Sequence, residues 1–102
     1  MCYFPPMQQP CVYILASRPN GTLYVGVTSD LRQRIYQHRA GEVPGFTRRY
    51  DVKQLVYIEP HATMPDAILR EKRIKKWRRA WKIRLIEEHN ANWVDLFDQL
   101  NV

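Results

Sequence analysis

Cysteine and long apolar runs are both scarce in this chain of 102 residues, and each scarcity removes a class of protein. Its two cysteines, Cys2 and Cys11, form no C-x-x-C pair. They read as reduced thiols rather than a disulfide framework, and no His or Cys cluster has the spacing of a transition-metal site. No apolar run approaches a membrane span, and the opening MCYFPPMQQP lacks the basic start and apolar stretch of a signal peptide. The expectation is a cytoplasmic protein with no membrane partner. Acid is also in short supply. Sixteen Lys and Arg face ten Asp and Glu, a formal charge of +6, which makes a polyanion the first partner to consider.

What is present fits one domain. Hydrophobic residues make up 45% and charged residues 25%, as in an ordered globular chain of one modest core. Residues 1–10, with Pro5, Pro6 and Pro10, read as an irregular lead-in; 11–97 form the domain; 98–102 are a tail. Nothing in the chain requires more than a monomer.

CVYILASRPNGTLYVGVTS, residues 11–29, holds two β-prone runs around an Asn20-Gly21 turn signal and reads as a hairpin. In TSDLRQRIYQHRAG, Thr28 or Ser29 can cap a short helix on which Leu31, Ile35 and His38 recur until Gly41. EVPGFTRRYD reads as a surface loop and VKQLVYIEP as a third strand, stopped by Pro60. Thr63, Pro65 and Asp66 make a helix start, after which no Gly or Pro intervenes before about His89, so one long helix or two shorter ones are equally allowed. The segment after Asn90 reads as a short helix or turn docking Trp93, Leu96 and Phe97. The order β-β-α-β-α-(α) implies an α+β domain, a three-stranded sheet with helices packed on it.

Tyr13 and Tyr24 stand at the centres of the two hairpin strands. A loop over Ser17–Asn20 sets them directly opposite each other, whereas a two-residue Asn20-Gly21 turn sets Tyr24 opposite Ser17. Side chains alternate with period two, so both registers put the tyrosines on one face. They are then a packed aromatic pair, or a pair that polar groups join. Arg34 and His38 share one helix face beside Leu31 and Ile35 and can bring such groups to the sheet.

Between Arg70 and Arg84 nine residues are basic and only Glu71 is acidic. Met64, Ile68, Glu71, Ile74 and Trp77 step by three or four, so Glu71 interrupts the apolar stripe. A carboxylate facing inward needs a cation or donors. Either Lys75 supplies an intrahelical ion pair, or Glu71 holds a metal or serves another buried polar role. A single carboxylate completed by water and phosphate oxygens is how Mg²⁺ is usually bound. Arg70, Lys72, Arg73, Lys75, Lys76 and Arg79 form a surface suited to phosphates; Trp77 and Trp81, interleaved with this basic run, either stack bases or, the preferred reading, pack in the core.

Taken in order, Cys11-Val12-Tyr13, Tyr24-Val25-Gly26, SDLRQRIYQH, FTRRY, LVYIE, AILREKRIKKW and LIEEHNANWVDL resemble the GIY-YIG nucleases, most closely their small single-domain bacterial members. The likeness runs from Cys11 to Leu96. It places the two motif tyrosines at Tyr13 and Tyr24, the helical arginine and histidine at Arg34 and His38, and the metal-binding glutamate at Glu71. A supporting asparagine falls on Asn90. Gly-Ile is replaced by Cys-Val at the first motif, and Ala91 stands where close relatives often carry proline.

The resemblance implies an antiparallel sheet, a break in the long basic helix near Trp77 to Trp81, and phosphodiester hydrolysis dependent on Mg²⁺ or Mn²⁺. Tyr13, helped by His38, then takes a proton from the attacking water. Arg34 supplies the positive charge that lowers the phenol's pKa and stabilises the phosphate, Tyr24 positions the water, and Glu71 holds the metal. DNA with single-stranded character is the favoured substrate, with RNA left open. The rival reading is a non-catalytic nucleic-acid-binding module using the same basic face.

Overall fold

The computed structural model describes residues 9–42, 45 and 50–101. The first eight residues of the lead-in, including Cys2, and positions 43–44 and 46–49 of the expected loop lie outside these. Strands β1 (Cys11–Ala16), β2 (Leu23–Thr28) and β3 (Gln54–Pro60) form one antiparallel sheet in the order β2-β1-β3. Helix α1 (Leu31–Arg39) follows β2; α2 (Met64–Lys75) and α3 (Arg79–His89) follow β3; a 3-10 turn (Phe97–Asn101) comes last. That turn runs across the boundary expected at 97/98.

All six residues of β1 are buried because the central strand is covered on both faces. Val12, Ile14 and Ala16 pack with Val25, Ala67, Ile74, Ile86 and Trp93 beneath α2 and α3. Cys11, a free thiol here, joins Tyr13, Leu15, Leu31, Ile35 and Leu55 under α1, and Leu96 and Phe97 close that layer. The sheet is thus sandwiched between α1 and the α2–α3 pair.

Both expected hairpin registers are superseded. Ser17 N–H bonds Thr22 and Gly21 N–H bonds Arg18, leaving a turn over Arg18–Gly21 in which Asn20 adopts a φ of 57°. An asparagine tolerates that left-handed conformation. Tyr13 now pairs with Gly26, and Leu15 with Tyr24. The shift is by two residues, so the tyrosines keep one face.

Helix α1 is capped by Asp30, not by Thr28 or Ser29: its carboxylate accepts from Gln33 N–H, while Thr28 Oγ1 accepts from Asp30 N–H. An aspartate immediately before the first helical residue is among the strongest caps and displaces its neighbours. Thr63 caps α2 as expected, accepting from Asp66 N–H. The break after Lys75 carries neither Gly nor Pro; Lys76 and Trp77 close it with short-range backbone bonds to Arg73 and Ile74.

Two inward assignments are corrected. The stripe of α2 that meets the sheet is Ala67, Glu71 and Ile74, so Ile68 turns to solvent. Trp81 is 50% exposed, whereas Trp77 leans on the core. The break rotates α3 relative to α2, so one continuous helical phase cannot predict both tryptophans.

Candidate active site

The face of β1 beneath α1 gathers four of the side chains singled out from sequence. Tyr13 is wholly buried and His38 is 1% exposed. Tyr13 Oη and His38 Nε2 lie 3.0 Å apart, and Arg34 Nε donates to the same oxygen at 3.4 Å. Tyr24 completes the group, its ring centre 6.3 Å from that of Tyr13 and 5.3 Å from that of His38. Arg34 and His38 sit one helical turn apart, which brings a cation and an imidazole to one phenol.

Hydrogen-bond direction follows from the donors available. Arg34 can only donate, so the Tyr13 oxygen accepts there and directs its own proton to His38 Nε2. That requires a neutral imidazole. Burial, seconded by the Arg34 charge, pushes the His38 pKa down to about 4, so the ring is neutral near pH 7. Burial also holds the Tyr13 pKa above the ordinary phenol range, outweighing the hydrogen bond from Arg34 that lowers it. The expectation that Arg34 makes Tyr13 a readily ionised phenol is therefore corrected. Desolvation wins at a fully buried ring.

A residue of the second motif has a part that sequence reading missed. A Cβ at Gly26 would fall 2.4 Å from both Cζ and Oη of Tyr13. The bare α-carbon makes room for the Tyr13 ring, and a glycine inside a β-prone run is the signal that marks such an approach.

Beside Arg34 lies an open, polar cavity of about 420 Å³ lined by Thr28, Asp30, Gln33, Gln37 and, from α2, Met64. It opens at β2, the edge strand, and is touched by helices from both layers.

Glu71 comes from the other layer. It is 9% exposed, and Lys75 Nζ lies 2.8 Å from its Oε2. Glu71 stands seven residues beyond Met64 on the same helix face, about 10 Å along the axis. The ion pair with Lys75 that the sequence allowed is present, and the carboxylate it holds faces inward. Among the described residues no group of three or more His, Cys, Asp or Glu is placed to hold a metal. The donor set is one carboxylate whose paired cation is half exposed, which fits Mg²⁺ or Mn²⁺ completed by water and phosphate, not a closed protein cage.

The other candidates divide. Lys72, Arg73 and Lys76 are exposed on α2 and at its end. Arg70 instead forks onto Glu59 at 2.9 and 3.2 Å and covers the Trp77 ring, and Arg79 donates to the Asn20 and Gly21 carbonyls of the hairpin turn. Asn90 caps the end of α3: Nδ2 donates to Val56 O and Val94 O, and Oδ1 accepts from Val94 N–H. These partners are all backbone groups.

Residues 9–84 match the model of the GIY-YIG catalytic domain. A UPF0213 protein of Staphylococcus saprophyticus is 35% identical over 82 residues, covering 80% of this chain and 99% of that protein. A UPF0213 protein of Bacillus pumilus is 39% identical over 69 residues, covering 68% and 70%. The solution NMR structure of a UPF0213 protein from Bacillus halodurans superposes with a TM-score of 0.54 at 26% identity, covering 85% of this chain and 92% of that one. With the hairpin tyrosines, the α1 pair and the glutamate of α2 all falling inside the matched span, this chain belongs to the GIY-YIG domain family.

Proposed function

We propose that the protein is a metal-dependent endonuclease that hydrolyses phosphodiester bonds, with DNA of single-stranded character as its preferred substrate. The observation that carries this reading is the hydrogen-bonded series from Arg34 through Tyr13 to His38 beside an open polar cavity. A buried phenol held between a fixed cation and a neutral imidazole is arranged to move a proton next to an anion.

A water at the Tyr13 hydroxyl attacks the phosphorus in line, and the opposite bond from phosphorus to the sugar oxygen breaks, that oxygen leaving with a proton from solvent. As it attacks, its proton passes to the Tyr13 oxygen while the Tyr13 proton passes to His38 Nε2. Tyr13 thereby works as a relay, and its high pKa is no obstacle. Arg34 stabilises the charge developing on the phosphate oxygens, and the incoming phosphate offsets the new charge on His38. Tyr24, packed against both rings, orients the water. Glu71 would hold Mg²⁺ or Mn²⁺, which when bound would supply Lewis-acid charge for the reaction. Lys72, Arg73 and Lys76 supply backbone contacts that carry no sequence preference.

The test is a labelled panel of single-stranded, duplex, flap and branched DNA, with an RNA strand alongside, incubated with Mg²⁺ or Mn²⁺ and with EDTA. Cutting that needs metal and disappears in Glu71→Ala and Tyr13→Phe supports the reading. Binding without cutting of any substrate, by a folded wild type, supports the non-catalytic binding module instead.

A further inference from the structure

The break between α2 and α3 leaves a second cleft, in the layer opposite the tyrosine cluster. Its volume is about 220 Å³, and Trp77, Trp81, Arg84, Leu85 and Glu88 line it. On α3, Trp81, Arg84, Leu85 and Glu88 recur at helical spacing, so they form one face of that helix. Trp77 comes from the break and meets Trp81 edge to face, ring centres 6.2 Å apart.

The cleft is held in shape before any ligand arrives. Glu59 accepts from the Tyr57 hydroxyl at 2.5 Å, lies 2.7 Å from His61 Nε2, and grips Arg70 with both oxygens. Arg70 in turn lies 5.0 Å above the centre of the Trp77 ring. The Trp77 wall is thus fixed through Arg70 to the end of β3. Trp81 is the open wall, half exposed with the Arg78 guanidinium 5.5 Å from its ring centre. A large aromatic that the core does not need, beside a preorganised partner, is a surface awaiting a flat ligand.

We propose that this cleft takes one unpaired nucleobase of the strand bound by the protein. The proposal rests on the nucleic-acid reading above and adds a site that reading does not use. Three observations select the occupant. The volume falls below the roughly 300 Å³ at which drug-sized sites begin, the scale of one ring system. The walls are aromatic and every base has a π-face, so stacking there is tolerant of sequence. Arg84 and Glu88 add a donor and an acceptor at the rim for a base edge. The neighbouring charge is also complementary to a strand and not to a basic or neutral partner: Arg78 stacks on Trp81, and nine of the residues from Arg70 to Arg84 are basic. The phosphates on either side of the base meet this surface.

The decisive experiment is binding in EDTA, where no cutting intervenes, of a short labelled single strand and of an abasic strand of equal length and charge, with DNA and RNA versions in parallel. Tryptophan emission is recorded together with affinity. Trp93 is buried and bonded to Glu87, so it serves as the internal standard. The wild type should bind the intact strand with quenched emission and the abasic strand without quenching. Trp81→Ala should bind the intact strand about tenfold more weakly, and no better than the abasic one, whereas Trp81→Phe retains most of the affinity. Either sugar carrying the base supports the site. Equal affinity of the wild type for intact and abasic strands, or an undiminished Trp81→Ala, overturns it, and wild-type cutting with Mg²⁺ then leaves the nuclease reading standing. A folded wild type that neither binds nor cuts any strand fails both.

Discussion

Tyr13 and Gly26 face each other across β1 and β2, and the phenol ring occupies the space that any side chain at position 26 would need, 2.4 Å from an added Cβ. Position 26 carries no reactive group, yet it controls where the Tyr13 hydroxyl stands. Gly26→Ala should therefore cut as poorly as Tyr13→Phe, at least about a hundredfold below wild type, while still binding the strand. Overpacking of this kind costs about 1–3 kcal/mol. Cleavage rates and thermal melting measured together check it; an active Gly26→Ala would show that the ring position does not matter.

His38 should titrate far from an ordinary histidine. Its folded pKa of about 4 lies below the unfolded value of about 6.5, so on acidification the unfolded chain takes up the proton first. The sign follows: the stability linked to His38 is fully present above about pH 6.5 and is lost as the pH falls through about 4. Its size is about 3 kcal/mol at most. NMR titration of the His38 ring protons and denaturant melts between pH 7 and 4 check both parts. A midpoint near 6.5 would mean the ring is not held neutral beneath α1.

Lys75 competes with any cation for Glu71, its Nζ being 2.8 Å from Oε2. Lys75→Met should lower the Mg²⁺ concentration needed for half-maximal cutting at saturating strand. Stability should hardly change, because a half-exposed i,i+4 pair contributes only a few tenths of a kcal/mol. Mn²⁺ binding, followed by water-proton relaxation, should tighten in parallel. Unchanged metal dependence would separate Glu71 from the metal.

The Asn90 side chain makes three hydrogen bonds, all to backbone groups. Asn90→Ala should destabilise the fold by about 1–3 kcal/mol, since buried backbone groups lose their partners. Cutting per folded molecule should stay near wild type. A stable Asn90→Ala with lost activity would give this residue a direct part in the chemistry.

The sequence carried the arrangement of the tyrosine face further than the details of the turn. Period-two alternation put Tyr13 and Tyr24 together in any register differing by two, so a wrong loop length left the inference intact. Helical spacing likewise delivered Arg34 and His38 to one face. What was hidden depends on burial and on breaks without a marker. The Tyr13 and His38 pKa values follow from desolvation, which no local pattern encodes. The α2–α3 break has no Gly or Pro, and Trp81 beyond it is exposed against the core reading; within α2 the inward face is Ala67, Glu71 and Ile74, which leaves Ile68 exposed. Arg70 and Arg79 looked like their exposed basic neighbours, and only tertiary contact with Glu59 and the hairpin turn set them apart.

The central claim is that Tyr13, Arg34, His38 and Glu71 serve one phosphodiester hydrolysis. Its most direct measurement is single-turnover cleavage of a labelled single-stranded DNA by wild type, Tyr13→Phe and Glu71→Ala, with Mn²⁺ or Mg²⁺ and with EDTA, alongside strand binding by the same preparations. The account predicts metal-dependent cutting by the wild type and its loss in both variants, with folding and strand binding retained. Cutting that persists in EDTA, or that survives Tyr13→Phe undiminished, would contradict it.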